Sequence, residues 1–130
     1  MINYYDNKRV DYKRLTQLFI GAGWKDKTND PERLIAMVDN SQIVITAWDN
    51  DIMVGFARCT TDYVFNGQIN NVVVDPEYRG KGIGKQLIKN ILGKSSKVTY
   101  ILRGDSENEE FYKRMGFVEA EHTLIFKRKA

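Results

Sequence analysis

Cysteine, histidine and proline are almost missing from these 130 residues, and no long apolar run occurs. With Cys59 as the only cysteine, no internal disulfide can form, and Cys59 with the single His122 falls short of a zinc ligand set. Metal chemistry and a disulfide framework are therefore excluded as expectations, and a reducing, cytoplasmic setting is favoured. No segment approaches the roughly 20 apolar residues a bilayer requires, and Met1 to Lys8 has no central apolar stretch, so neither a membrane span nor an export signal is expected. Only Pro31 and Pro76 interrupt the backbone, and no repeat, low-complexity tract or linker divides the chain. Residues 1–130 read as one domain, long enough to build a core without staples.

Charge of one sign is also scarce, since 20 Lys and Arg meet 17 Asp and Glu, a net +3 that does not argue for a nucleic-acid partner. Its distribution is more informative. Between Pro76 and Lys97 lie Arg79, Lys81, Lys85, Lys89, Lys94 and Lys97 against Glu77 alone, while the remainder of the chain is slightly acidic. Two readings follow, a local anion site and a solvated helix face.

Apolar periodicity sets the order of elements. Ile2 to Tyr5 reads as a strand; Leu15, Leu18, Phe19 and Ala22 recur at helical spacing and stop at Gly21 to Gly23. Asp30 and Pro31 read as cap and first turn of a second helix with Leu34, Ile35 and Val38 on its apolar stripe. Ile43 to Trp48 and Ile52 to Cys59 form a hairpin around Asp49, Asn50 and Asp51. A strand from Gln68 to Val74, a helix from Gly82 to Leu92, a strand from Lys97 to Leu102, a helix from Asn108 to Met115 and a closing strand or strand pair over Val118 to Lys127 complete a mixed α/β order.

The stretch that carries chemistry is Asn71 to Lys85, NVVVDPEYRGKGIGK. An apolar strand enters a turn at Asp75 and Pro76 and then a glycine-rich helix start. Gly80, Gly82 and Gly84 allow close approach of a ligand to free helix N–H groups, and Arg79, Lys81 and Lys85 add full charges to the helix dipole. Such a site suits a pyrophosphate. A dinucleotide fold would need an acidic ribose ligand about 20 residues on, and Leu92 to Lys97 has none. A phosphate-binding loop of the Walker type would need Ser or Thr after Gly84 and Lys85, where Gln86 stands.

RGKGIG at Arg79 to Gly84, the preceding VVVDPEYRG, and a second element at Phe111, Tyr112, Lys113, Arg114, Met115, Gly116 and Phe117 together resemble the GNAT superfamily of acetyl-CoA-dependent N-acetyltransferases. The hairpin containing Val54, Gly55 and Phe56 is similar too, and Gly55 through Val74 looks like small bacterial and plant-type members, some arylalkylamine-acetylating. The resemblance implies a mostly antiparallel mixed sheet, splayed at a cofactor cleft and flanked by about four helices. It implies that acetyl-CoA binds through Arg79, Gly80, Lys81, Gly82, Ile83, Gly84 and Lys85 at the pyrophosphate and through Val72, Val73 and Val74 along the pantetheine arm. A backbone N–H near Val73 or Val74 would stabilise the oxyanion.

By the same resemblance Tyr112 is the general acid that protonates the departing thiolate; a packed aromatic beside Phe111 and Phe117 is the alternative. A phenol of pKa about 10 stays protonated at neutral pH and suits that task. Cys59 reads as a core thiol, so direct attack in a ternary complex is expected rather than an acyl-enzyme. For the general base, related small members often carry an acid where this chain has Asn71, which cannot accept a proton. Asp62, Glu121, His122 and water remain candidates, and Asp75 reads as a turn former. Trp24, Tyr63 and Phe65 are candidates for an acceptor pocket. The expected acceptor is a primary amine on a small molecule. The alternatives are a peptide N-terminus or lysine, a non-catalytic acyl-CoA sensor, and a nucleic-acid binder using Arg79 to Lys97. Neither nucleic acid nor membrane is expected as partner, and homodimer formation is left open.

Overall fold

In the computed structural model, which describes residues 1–120 and 122–129, the elements run β1 (Ile2–Tyr5), α1 (Tyr12–Gly21), a 3-10 turn (Lys25–Thr28), α2 (Pro31–Asn40), β2 (Ile43–Asp49), β3 (Ile52–Thr61), β4 (Asn66–Val74), a second 3-10 turn (Pro76–Tyr78), α3 (Ile83–Leu92), β5 (Thr99–Leu102) and α4 (Glu109–Arg114). The five strands form one sheet in chain order. β1 to β4 pair antiparallel, whereas β5 lies parallel to β4 after the α3 crossover.

Local chemistry explains the helix starts. Asp11 caps α1, its Oδ1 accepting from the N–H groups of Lys13 and Arg14, and Asp30 caps α2 in the same way ahead of Pro31. The 49–52 connection turns at Asn50, whose φ of 53° suits an Asx residue.

β2 and β3 are buried on both faces, so their side chains divide between two apolar layers. On one face Ile43, Ile45, Ala57, Cys59 and Ile69 pack with Ile83, Leu87, Ile88 and Ile91 of α3 and with Tyr112. On the other, Val44, Trp48, Met53 and Phe56 meet Leu15, Leu18 and Phe19 of α1 and Leu34 and Val38 of α2. Gly55 sets how closely α3 approaches, because a Cβ there would lie 3.2 Å from both Ile83 and Leu87. The buried Thr46 is satisfied, donating to the Arg9 carbonyl and accepting from the Trp48 indole.

Three expectations change. Ile35, placed on the apolar stripe, is exposed, since Leu34 and Val38 already fill the contact of α2 with the sheet. The second strand of the hairpin runs on to Thr61, and β4 begins at Asn66, held by the pairing of Thr61 with Gly67. Among the described residues no strand forms over 118–127. There Val118, Leu124 and Phe126 stay exposed, and an alternating pattern makes a strand only where an edge pairs with it. None of the described helices is long and apolar enough to cross a membrane.

Candidate active site

Two irregularities in the sheet create the site. β4 and β5 pair only from Asn66↔Thr99 to Ile69↔Leu102, so beyond Ile69 the strands part and, among the described residues, Val72 to Val74 have no strand partner on that side. On the other side, the register with β3 shifts so that Asn71 and Val72 oppose the single residue Ala57, a bulge with Asn71 at φ 54°. The bulge bends β4 at the point where the cleft opens.

The cleft, of about 580 Å³, lies between the free edge of β4, the start of α3 and the face of α4. Val72, Val73, Val74, Arg79, Gly80, Gly82, Ile83, Gly84, Lys85 and Tyr112 all line it, so the structure gathers every proposed binding residue except Lys81. Lys81 turns instead onto the ring of Tyr78, its Nζ 5.2 Å from the centroid.

The start of α3 is bare. Gly82 is its cap, at φ 79°, with no side-chain hydrogen bond to the first N–H groups. A Cβ at Gly80 or Gly82 would meet nothing within 4 Å, so both backbones face open space. Uncapped donors, a helix dipole and an empty cradle are what an anionic phosphate requires, and an unpaired strand edge is what an extended amide-bearing chain requires. The turn that presents them is pinned from α1. Asp75 Oδ2 accepts from Arg14 Nη2 at 2.7 Å, Asp75 Oδ1 from the Glu77 N–H, and Arg14 Nε donates to the Met53 carbonyl. Burial raises the Asp75 pKa, but the Arg14 pair and the Glu77 amide outweigh it and hold the carboxyl below its ordinary value.

Tyr112 is buried, edge-on to Phe111 at 5.1 Å and to Phe117 at 5.7 Å between ring centroids. Burial, with a smaller contribution from Asp105, raises its pKa, which keeps the phenol protonated through the neutral range.

The other candidates divide. Trp24 lines the cleft and packs edge-on to Phe19, whereas Tyr63 and Phe65 are exposed in the β3–β4 turn, where the Tyr63 hydroxyl donates to the Gln42 carbonyl. Asp62 belongs to that turn as well. Its Oδ1 accepts from the N–H groups of Val64, Phe65 and Asn66, bonds that hold its pKa below the usual carboxylate range. His122 is exposed, and Glu121 lies outside the described residues. Cys59 is buried, and burial pushes its thiol up to about 11.

Sequence reasoning missed Ala22, Tyr78, Asp105, Glu107, Asn108 and Phe111 as lining residues. Asp105 and Asn108 had a readable signal. They cap one another across the start of α4, with Asn108 Oδ1 accepting from the Asp105 N–H and Asp105 Oδ1 from that of Asn108.

A parallel crossover, a strand pair that opens into a cleft, and a glycine-built helix start facing it define a mixed α/β fold whose cleft suits an extended, anion-bearing ligand. The family model described as acetyltransferase (GNAT) domain matches residues 40–119. The chain belongs to this family. It is 33% identical over 121 residues to an uncharacterized N-acetyltransferase, ycf52, of Porphyra purpurea, an alignment spanning 88% of this chain and 68% of that one. Among solved structures, a GNAT-family acetyltransferase from Streptococcus pneumoniae superposes with a TM-score of 0.79 at 26% identity, covering 99% of this chain and all of the other. A predicted acetyltransferase from Clostridium acetobutylicum, solved with acetyl-CoA, superposes with a TM-score of 0.70 at 17% identity, covering 98% and 96%.

Proposed function

We propose that the protein transfers the acetyl group of acetyl-CoA to a primary amine of a small molecule, by direct attack in a ternary complex. One observation carries this reading: the unpaired edge of β4 at Val72 to Val74 and the uncapped start of α3 open onto the same cleft as Tyr112. The pyrophosphate would sit over the N–H groups of Gly82 to Lys85, with Arg79 and Lys85 beside it, and the pantetheine amides would pair along Val72 to Val74. Lys81, held at Tyr78, would contribute only long-range charge.

In the step itself the amine nitrogen attacks the thioester carbonyl and the carbon–sulfur bond breaks. Tyr112 donates its proton to the departing thiolate, and the surplus amine proton leaves to water. No carboxylate stands at position 71, and Asp62 is engaged in its own turn, which supports water as the acceptor of that proton. A cytoplasmic setting goes with this reading, since the lone cysteine needs no oxidising compartment.

Calorimetric titration with acetyl-CoA at low and moderate salt is the test. Saturable one-to-one binding, followed by thiol release in an amine screen, is the expected result. A folded protein that ignores acetyl-CoA would overturn the reading, and steeply salt-dependent nucleic-acid binding through Arg79 to Lys97 would then be the replacement. Binding without Tyr112-dependent turnover with any amine would mark an acyl-CoA sensor.

A further inference from the structure

A second cavity, of about 380 Å³, lies on the α2 side of the sheet, lined among others by Asp26, Asp30, Arg33, Met37, Arg58 and Arg128. Two pairs of chain neighbours connect it with the cleft. Trp24 lines the cleft and Asp26, two residues on, lines the cavity; Val72 lines the cleft, and the neighbouring Asn71 is bonded to Arg58 of the cavity.

Arg58 is half-buried, yet its hydrogen-bond partners are neutral. Its Nε donates to Asn71 Oδ1 at 2.8 Å and its Nη1 makes a long 3.4 Å contact with Ser41 Oγ. Among the described residues no carboxylate pairs with it. The two acids of the cavity are otherwise engaged, Asp30 Oδ1 in capping α2 and Asp26 with Arg128 at 3.6 Å. Arg33 likewise has no ion-pair partner among the described residues. No buried side-chain nitrogen lacks a partner among the described residues, so the remaining Arg58 donors reach the open cavity, where their planar fork matches a carboxylate or phosphate. Asn71 engages Arg58 through its amide oxygen and brings no charge to offset the guanidinium.

Resting on the acetyltransferase reading, we propose that the acceptor amine also carries an anionic oxyacid group, carboxylate or phosphate, held by Arg58 with Arg33 in the cavity beside the cleft. Arg58 is then a specificity residue, orienting the acceptor so that its amine reaches over the β4 bulge toward the thioester. Position 71 sets the selectivity, because an acid there would neutralise Arg58 from within.

The test has a binding arm and a kinetic arm. In the first, the Arg58 Nε–H resonance is followed by NMR while inorganic phosphate or acetate is titrated into the protein with and without coenzyme A. A saturable shift is expected, absent in Asn71→Asp, and the tighter of the two anions identifies the group. In the second, matched primary amines are compared, O-phosphoethanolamine with ethanolamine and β-alanine with propylamine. The favoured anionic member should exceed its neutral partner by at least about tenfold in kcat/KM, the scale of one charge-assisted hydrogen bond. That ratio should collapse toward one in Arg58→Gln and in Asn71→Asp, the latter retaining the Nε bond and so the fold. An unmoved Arg58 resonance, or neutral amines acetylated as well as their anionic partners, overturns the proposal. A protein that shows the Arg58 shift but no acetyl-CoA binding keeps the anion site and loses the acetyltransferase reading, so the two failures are distinguishable.

Discussion

Arg14 Nη2 and Asp75 Oδ2, 61 residues apart in the chain, lie 2.7 Å apart and join the first helix to the turn that delivers the glycine-rich loop. Both side chains are less than one quarter exposed, so the pair is shielded from full solvent screening. The contact makes the position of the cleft depend on α1, an element with no residue in the signature motif.

Asp75→Asn should therefore cost about 1.5–3 kcal/mol at neutral pH, the range of a hydrogen bond to a charged group. The Asp75 pKa is depressed in the folded state, so its contribution is complete above the ordinary value of about 3.9 and is lost as pH falls through the lower folded value. Denaturant unfolding at pH 7 and at pH 3 checks this: the gap between wild type and Asp75→Asn should narrow in acid. An equal gap at both pH values would remove the pair from the stability of the fold.

Gly82→Val should abolish acetyl-CoA binding while the domain stays folded. At φ 79° a branched residue is strained by about 1–3 kcal/mol, and its side chain would project into open space at the helix start, where the phosphates are proposed to lie. Gly84→Ala is the contrasting variant. Its Cβ would meet Val74 and Phe111 at 3.7 and 3.8 Å, ordinary contact, so affinity should change little. Calorimetry on both variants, with thermal unfolding as the control, separates the two positions; equal affinity in both would move the phosphate site.

Tyr112→Phe should leave acetyl-CoA affinity near the wild-type value and lower turnover by about 10²-fold, as for loss of a positioned acid. The raised pKa of Tyr112 gives the direction of the pH profile: the alkaline loss of activity that follows ionisation of the phenol should lie above that of an ordinary tyrosine. Full turnover in Tyr112→Phe would place the proton donor elsewhere.

Cys59 should be inert toward thiol reagents in the native protein. It is fully buried and its thiol is pushed up to about 11, so the reactive thiolate is scarce at neutral pH. Labelling with an aromatic disulfide should proceed only at the rate of unfolding, and Cys59→Ala should retain turnover. Rapid stoichiometric labelling of the folded protein would contradict the packing described.

Several features needed no structure. The caps at Asp11 and Asp30, the hairpin around Asn50 and the glycine-rich start of α3 are local, because side-chain capping and backbone freedom act within a few residues, and such signals survive in one dimension. Of these, the Asp11 cap was legible but unread. The binding residues clustered around one motif for the same reason. What the chain alone could not show was pairing. Whether 118–127 becomes a strand depends on an available edge, and whether Tyr63 or Phe65 reaches the site depends on which way a turn leaves the sheet.

By itself, then, the sequence determined the α/β order, the glycine-rich, uncapped helix start and the family, since each rests on short-range spacing. Only the tertiary structure decided that β4 and β5 part after Ile69, that Lys81 leaves the cleft for Tyr78, and that Arg58 meets Asn71 rather than an acid. Those outcomes arise from strand register and a one-residue bulge, which shift which side chains face one another across the sheet without any change in local propensity.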